Sequence, residues 1–197
     1  MASQKPDPIA SLPGSLTHAD ARSAGLSDRA LRTLVDRSVL TRLGRGVYRR
    51  ADAPPADEDL LEIALRAPAA TLCLVTGLAH HDQTDQIPDR IDVALPRSQR
   101  PPRVSARVRW HRFDETTYAI GRDELIVDEE VRIGLYSPER CIVDAFRLRH
   151  QVGEELAIEA LRRWLRRNGS VPATLLEMAR AFPKAEPSLR AALRVLL

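Results

Sequence analysis

The chain has 197 residues, of which 44% are hydrophobic and 29% charged, and its formal net charge is +3. This is the composition of a folded globular protein, because chains that stay unfolded contain fewer apolar residues and more net charge. The length predicts two domains. No run of about eighteen apolar residues is present, and residues 1–14 show no signal or transit pattern, so the sequence predicts a cytoplasmic protein without a membrane anchor.

Charge changes sign along the chain in blocks. Residues 15–50 carry a net charge of +5, residues 90–113 carry +6 and residues 147–197 carry +5. Residues 51–89 carry −7 and residues 114–146 carry −6. A basic block within a compact motif is the electrostatic pattern expected of a nucleic-acid contact.

The first basic block opens with a predicted helix and a tight turn. Thr17 and Asp20 have the spacing of a capping box, so a helix is predicted from His18 to about Ala24. Gly25 can adopt the left-handed conformation that commonly ends a helix. The chain is therefore expected to turn here and begin a second helix.

The second helix is predicted from Asp28 to about Arg37, with Ser27 as its N-cap. Leu26 before the cap is placed to pack against Leu31 as a hydrophobic staple. Apolar residues at helical spacing predict one buried stripe, and the polar residues fall largely on the remaining surface. The stripe contains Leu31, Leu34 and Val35, and the other positions carry Arg29, Arg32, Thr33, Asp36 and Arg37.

Two short β-prone runs around Gly44-Arg45-Gly46 predict a hairpin, the wing of a winged helix-turn-helix. In that fold the second helix enters the major groove, and the wing reaches the backbone or the minor groove. Arginine and hydroxyl side chains bond phosphates and base edges. The predicted DNA-contacting residues are Ser27, Arg29, Arg32, Thr33, Arg37, Arg42, Arg45 and Arg49. Two alternatives remain open: a helix pair with a solvated arginine face, and a winged fold that contacts protein.

A proline-rich acidic stretch over residues 51–59 marks the predicted domain boundary. Residues 1–53 are predicted to form the winged helix-turn-helix domain and residues 54–197 a second domain. The fold class is thus α+β, with a mixed α/β domain that has a small sheet and a helical carboxy-terminal end. Strands are predicted at 90–96, 103–113, 125–127 and 131–136. Helices are predicted near 60–65, from Pro138 after the Ser137 cap, and at 154–168, 174–181 and 188–196. Residues 71–75 are predicted to form a strand or the start of a helix.

The second basic block, residues 90–113, has two interpretations. Arg107, Arg109 and His111 alternate on one strand face, with Trp110 on the other. They could form a second nucleic-acid surface. A charged outer strand face, which discourages pairing between sheet edges, is the favoured interpretation.

The sequence does not favour an enzyme. The run HHDQTD at 80–85 lacks a third ligand motif, and adjacent histidines point in different directions. Asp89 and Asp92 resemble the start of a nuclease site, but no lysine lies between Lys5 and Lys184. No catalytic residue, metal or cofactor is therefore predicted. The alternative is a metal-dependent nuclease that uses Asp89, Asp92 and the histidines.

The two cysteines give no sign of a disulfide or of a nucleophile. Cys73 and Cys141 lie far apart without paired spacing, so both are predicted to be buried small apolar side chains. No glycine-rich phosphate loop and no serine elbow is present.

The segment SLTHADARSAGLSDRALRTLVDRSVLTRLGRGVYRR, together with SPERCIVDAF at 137–146, resembles the AbiEi family, antitoxins and transcriptional regulators of type IV toxin–antitoxin systems. The resemblance covers most of the chain, although Cys141 stands where threonine is usual. It implies binding to double-stranded DNA at inverted repeats in the protein's own promoter, repression of that operon, and neutralisation of a nucleotidyltransferase-like toxin. It also implies that the larger carboxy-terminal domain carries the antitoxin activity. A further alternative is a protein-interaction module that binds the toxin directly through residues 60–197.

Overall fold

The computed structural model describes residues 12–197, whose contacts divide into two compact units. The amino-terminal unit contains residues 12–68, 102–106 and 125–133. The carboxy-terminal unit contains residues 69–101, 107–124 and 134–197. The first eleven residues of the predicted winged domain lie outside the described residues.

The amino-terminal unit combines a three-stranded antiparallel sheet with helices. The strand order is β1-β3-β2. The first helices lie between β1 and β2 in the chain, and α3 packs on all three strands, so this unit continues past the predicted boundary at residue 53. Its elements are β1 (Ser15–Thr17), α1 (His18–Ser23), α2 (Asp28–Asp36), β2 (Leu40–Gly44), β3 (Val47–Arg50) and α3 (Glu58–Arg66).

The predicted caps of α1 and α2 are confirmed. Thr17 Oγ1 accepts a hydrogen bond from the Asp20 N–H at 3.2 Å, and the Thr17 N–H donates to the Asp20 carboxylate at 2.7 Å. Ser27 Oγ accepts from the Ala30 N–H at 3.2 Å. These bonds satisfy N–H groups that a helix start leaves without partners. Both helices consequently begin where the sequence places them.

The core of the amino-terminal unit holds the apolar side of α2. Leu26 and Leu31 are buried in one cluster, as expected of a hydrophobic staple. Leu34 and Val35 pack against that cluster but remain partly exposed. The predicted stripe thus faces the core, with full burial only at Leu31.

A five-stranded sheet, in the order β6-β5-β4-β8-β7, belongs mainly to the carboxy-terminal unit. β5 pairs parallel with β6, β4 pairs parallel with β8, and β4 pairs antiparallel with β5. The prediction of a strand over 103–113 is wrong for residues 103–107, because the strand begins at Val108 and the backbone N–H groups of Ser105 and Ala106 donate to the Glu62 carboxylate. The strands are β4 (Thr71–Leu72), β5 (Ile91–Pro96), β6 (Val108–Phe113), β7 (Arg122–Ile126) and β8 (Arg132–Tyr136).

Helix α6 is the centre of the carboxy-terminal unit. Residues 140–146 are all buried, and α4, α8, α9 and α10 pack against the helix. Cys73 and Cys141 are both free and buried, as predicted. No helix within residues 12–197 has the length and apolar character needed to cross a membrane. The helices are α4 (Leu74–His80), α5 (Glu115–Tyr118), α6 (Pro138–Arg147), α7 (Arg149–Val152), α8 (Glu154–Leu165), α9 (Pro172–Ala179) and α10 (Glu186–Leu196).

Candidate nucleic-acid interface

The solvent-facing side of α2 and the C-cap residue that follows the helix carry three arginines. Because Leu31 is held in the core, the side chains on the other side of the helix project into solvent. Arg29, Arg32 and Arg37 are all exposed, and none of them forms an ion pair with a residue in the described part of the chain. Their guanidinium groups are free to bind phosphate or a guanine edge.

Two hydroxyl groups lie beside these arginines, and each makes one local hydrogen bond. Ser27 Oγ accepts from the backbone at the start of α2, so its O–H remains able to donate to a phosphate. Thr33 Oγ1 donates to the Arg29 carbonyl at 3.0 Å, which leaves its oxygen as an acceptor. Ser27 therefore suits a phosphate contact, and Thr33 suits the amino group of a base.

The hairpin between β2 and β3 presents two further arginines. Gly46 has a φ of +72°, a conformation that glycine adopts without steric cost. Arg42 is exposed, and its Nε donates to the Gly44 carbonyl at 3.1 Å, which holds the side chain along the hairpin. Arg45 lies at the turn, is exposed, and has no ion pair among residues 12–197.

Arg49 has a different role from the one predicted. It is only 6% exposed, and its Nη1 donates to Ser15 Oγ at 2.8 Å and lies 3.4 Å from Asp128 Oδ2. Its other terminal nitrogen donates to the Pro54 carbonyl. The guanidinium therefore stabilises the interior of the unit and is removed from the set of DNA contacts. The two-residue period of β3 could have revealed this, because Arg49 lies on the same face as the buried Val47.

The environment of Asp128 supports the structural role of Arg49. Burial acts to raise the pKa of the Asp128 carboxyl. Hydrogen bonds from Ser15 and from the backbone N–H groups of Val131 and Glu130, together with the charge of Arg49, outweigh that effect and hold the pKa below its ordinary value. Asp128 is therefore an ionised partner for Arg49.

A groove of about 390 Å³ lies beside α2 within the same unit. His18 Nε2 lies 2.9 Å from Asp28 Oδ1, which links the first turns of α1 and α2. The hydrogen bond with His18 lowers the pKa of the Asp28 carboxyl. The groove is lined by His18, Asp28, Leu31, Arg32, Val35, Asp36, Arg42 and Tyr48.

The two carboxylates of the nuclease alternative, Asp89 and Asp92, are paired with arginine or histidine side chains. Asp92 is 1% exposed, and its Oδ1 lies 2.8 Å from His111 Nε2 and 3.6 Å from an Arg109 nitrogen. Asp89 is exposed and pairs with Arg109 and Arg90. Residues 12–197 contain no group of three or more His, Cys, Asp or Glu side chains arranged to hold a metal ion.

The second basic block does not form one exposed face. His111 alternates with Arg109 on β6 but is largely buried against Asp92, whereas Arg107 and Arg109 are exposed. Part of the charge on this strand is therefore neutralised by neighbouring carboxylates. This arrangement fits the favoured interpretation, a charged strand face, better than a second nucleic-acid surface.

The SPER motif has a structural role at the start of α6. Ser137 Oγ accepts from the Arg140 N–H at 3.3 Å, and Glu139 accepts from Trp164 Nε1 at 3.1 Å. Arg140 is fully buried and pairs with Asp144 at 3.0 Å. The motif thus positions α6 within the core of its unit.

A compact unit in which a helix and a hairpin turn both present unpaired arginines is typical of the DNA-binding part of a transcriptional regulator. The family model described as a transcriptional regulator, AbiEi antitoxin, matches residues 8–51. Over this segment the chain is similar to the AbiEi antitoxin family of transcriptional regulators, in agreement with the resemblance seen in the amino-terminal sequence. The match spans less than a quarter of the chain and includes α1, α2 and the hairpin. No curated protein matches the chain.

Proposed function

We propose that the protein binds double-stranded DNA at inverted repeats in its own promoter and represses that operon. In this proposal residues 15–50 act as a winged helix-turn-helix, with α2 in the major groove and the hairpin against the backbone or the minor groove. The supporting observation is that Arg29, Arg32 and Arg45 are exposed and without ion pairs among residues 12–197, on two elements of one unit. An operator contact of this kind also places the protein in the cytoplasm.

The residues of this interface divide into two classes of contact. Ser27 and Arg45 are assigned to phosphates, because one has a free O–H at a helix start and the other lies at a hairpin turn. Arg29, Arg32 and Thr33 are assigned to base edges, and Arg37 and Arg42 flank them. Loss of a phosphate contact should weaken binding to every sequence, and loss of a base contact should relax specificity.

A gel-shift experiment tests this proposal. The full chain is titrated against a duplex from its own promoter and a scrambled duplex of the same length and composition. We expect the promoter duplex to be bound at lower protein concentration, with a salt-sensitive affinity for both duplexes. Equal affinity for the two duplexes would overturn the assignment of a sequence-specific repressor.

We further propose that the carboxy-terminal unit carries the antitoxin activity against a nucleotidyltransferase-like toxin. The family match supports an antitoxin, and it ends at residue 51, so the assignment of this activity to the second unit rests on the SPER resemblance. Co-expression of a neighbouring nucleotidyltransferase-like gene with the full chain tests it. Rescue of growth is expected from the parent protein and from the triple variant Arg29→Ala, Arg32→Ala, Arg45→Ala, which removes proposed DNA contacts, and loss of rescue in that variant would contradict the separation of the two activities.

A further inference from the structure

A short segment distant in sequence from the helix pair belongs to the amino-terminal unit. Residues 102–106 lie between β5 and β6 in the chain. Their contacts place them in the same unit as α1, α2 and the hairpin. The family match ends at residue 51 and does not include this segment. Any function it has in DNA binding is therefore additional to that of the family motif.

A buried carboxylate on α3 fixes this segment. Glu62 is 2% exposed, and its Oε2 accepts from the Ser105 N–H at 2.7 Å and from the Ala106 N–H at 3.4 Å. A carboxylate buried in this way requires such donors, because an unpaired buried charge is costly. The segment is thus bound to α3 through its backbone.

The same carboxylate lies directly against the hairpin. A Cβ atom added to Gly44 would overlap the Glu62 carboxylate, so the close approach of α3 to β2 depends on a residue without a side chain. Glu62 therefore contacts the hairpin on one side and residues 105–106 on the other.

An arginine on α3 joins the segment to the hairpin turn. Arg66 Nη1 donates to the Arg45 carbonyl at 2.9 Å, and Arg66 Nη2 lies 3.4 Å from the Arg103 carbonyl. One planar guanidinium thus bridges the backbone of the turn and the backbone of residue 103. Arg103 is held next to Arg45 by this bridge.

Arg103 is a second cation without an ion pair among residues 12–197, on the segment that Arg66 bridges to the hairpin turn. Its side chain is exposed and forms no ion pair within residues 12–197. Two exposed guanidinium groups, carried by backbone segments that Arg66 bridges, attract an anionic backbone more strongly than one. We propose that Arg103 is a further phosphate-contacting residue, which extends the basic hairpin turn by a cation from outside the family motif. This inference rests on the proposed DNA-binding function.

The test compares three single variants of the full chain by fluorescence anisotropy, on the promoter duplex and on a scrambled duplex. Arg103→Ala and Arg45→Ala remove the cations on the two bridged backbone segments, and Arg107→Ala is the matched control, since Arg107 is exposed but belongs to the other unit. Loss of one phosphate contact lowers the slope of log affinity against log salt by about 0.9, which is about a fivefold loss of affinity near 0.15 M salt. We expect this loss for Arg103→Ala on both duplexes, with substantial retention in Arg103→Lys.

The outcomes separate the inference from the function on which it rests. If Arg45→Ala weakens binding and Arg103→Ala behaves like Arg107→Ala, the inference is overturned and the DNA-binding proposal stands. If Arg45→Ala leaves binding unchanged as well, the proposed hairpin contact fails. Thermal unfolding of Arg103→Ala should match that of the parent protein, because the replaced side chain is exposed.

Discussion

Arg140 and Asp144 form an ion pair in which neither side chain has exposed surface. Arg140 Nε donates to Asp144 Oδ2 at 3.0 Å, one helical turn apart on α6. The same guanidinium donates to the carbonyls of Thr117 and Ile120 at 2.7 and 2.6 Å and lies 4.2 Å from the centre of the Tyr136 ring. The start of α6 is therefore tied to the segment around α5 by charge-assisted hydrogen bonds.

Replacement of Arg140 by methionine should lower the free energy of unfolding by about 1.5–3 kcal/mol, because Asp144 would lose its hydrogen-bonded partner and keep only the ion pair with Arg147, whose Nη2 lies 2.8 Å from Asp144 Oδ1. Urea unfolding of the full chain measures the change. The double variant Arg140→Met with Asp144→Leu should recover part of the loss, since it removes both charges of the pair and leaves Arg147, the other partner of Asp144, with some contact with water. A loss below about 1 kcal/mol in the single variant would show that the pair does not stabilise α6.

Arg49→Ala should destabilise the amino-terminal unit by about 2–3 kcal/mol, because Asp128 and Ser15 lose their buried donor. The DNA affinity of the folded variant should keep the salt slope of the parent protein. Arg45→Ala is the matched control and should show the reverse behaviour, with stability changed by less than about 0.5 kcal/mol and a lower salt slope. If Arg49→Ala leaves the stability unchanged and reduces the salt slope, Arg49 contacts DNA and its assigned structural role is wrong.

Gly44→Ala should lower the free energy of unfolding by about 1–3 kcal/mol, because the new methyl group overlaps a Glu62 carboxylate that is itself held by residues 105–106. Gly14→Ala is the control, since its added Cβ would meet Ala53 Cβ at 3.4 Å, an ordinary contact distance. The two urea midpoints are compared under the same conditions. Equal midpoints would contradict the close packing of α3 against the hairpin.

The carboxy-terminal unit should lose stability at alkaline pH. Burial raises the pKa of the Cys73 and Cys141 thiols well above its ordinary value. Thiols in the unfolded chain ionise near pH 8.5, so the folded state, which keeps them neutral, has its full stability below that pH and loses stability as the pH rises above it.

Unfolding free energies between about pH 7 and pH 10 test this effect, and the double variant Cys73→Ala with Cys141→Ala should show a smaller decline across that range. Tyr136, whose pKa burial also raises, should sustain a decline above about pH 10 in both proteins. Identical pH profiles below pH 10 would contradict the role of the buried thiols.

Local features of the interface were predictable from the sequence, and tertiary features were not. The caps at Thr17 and Ser27 and the hairpin glycines act within a few residues, so the residue types alone indicate them. The burial of Arg49 depends on Asp128, which lies 79 residues away. The addition of residues 102–106 to the unit depends on Glu62, whose hydrogen bonds no periodicity reveals.

The second unit shows the same distinction. Alternation of apolar and polar residues predicts the strands at 91–96 and 132–136. The Ser137 cap and the fixed φ of Pro138 predict the helix that follows. The burial of Arg140 could not be predicted from the sequence, because charged residues are almost never fully buried unless they are paired. The carbonyl groups that bond Arg140 lie on other segments and are brought to it only by the fold.

The salt dependence of DNA affinity is the sharpest test of DNA binding through α2 and the hairpin. Affinity for the promoter duplex is measured by fluorescence anisotropy for the parent protein, for the triple variant Arg29→Ala, Arg32→Ala, Arg45→Ala, and for a control triple variant of exposed arginines from the other unit, Arg162→Ala, Arg166→Ala, Arg180→Ala. We expect weaker binding in the first variant, with a log–log salt slope lower by about 0.9 because Arg45 is its phosphate contact, and a much smaller change in the control. Equal slopes in the parent protein and the first variant, or equal losses in both variants, would contradict DNA binding through α2 and the hairpin.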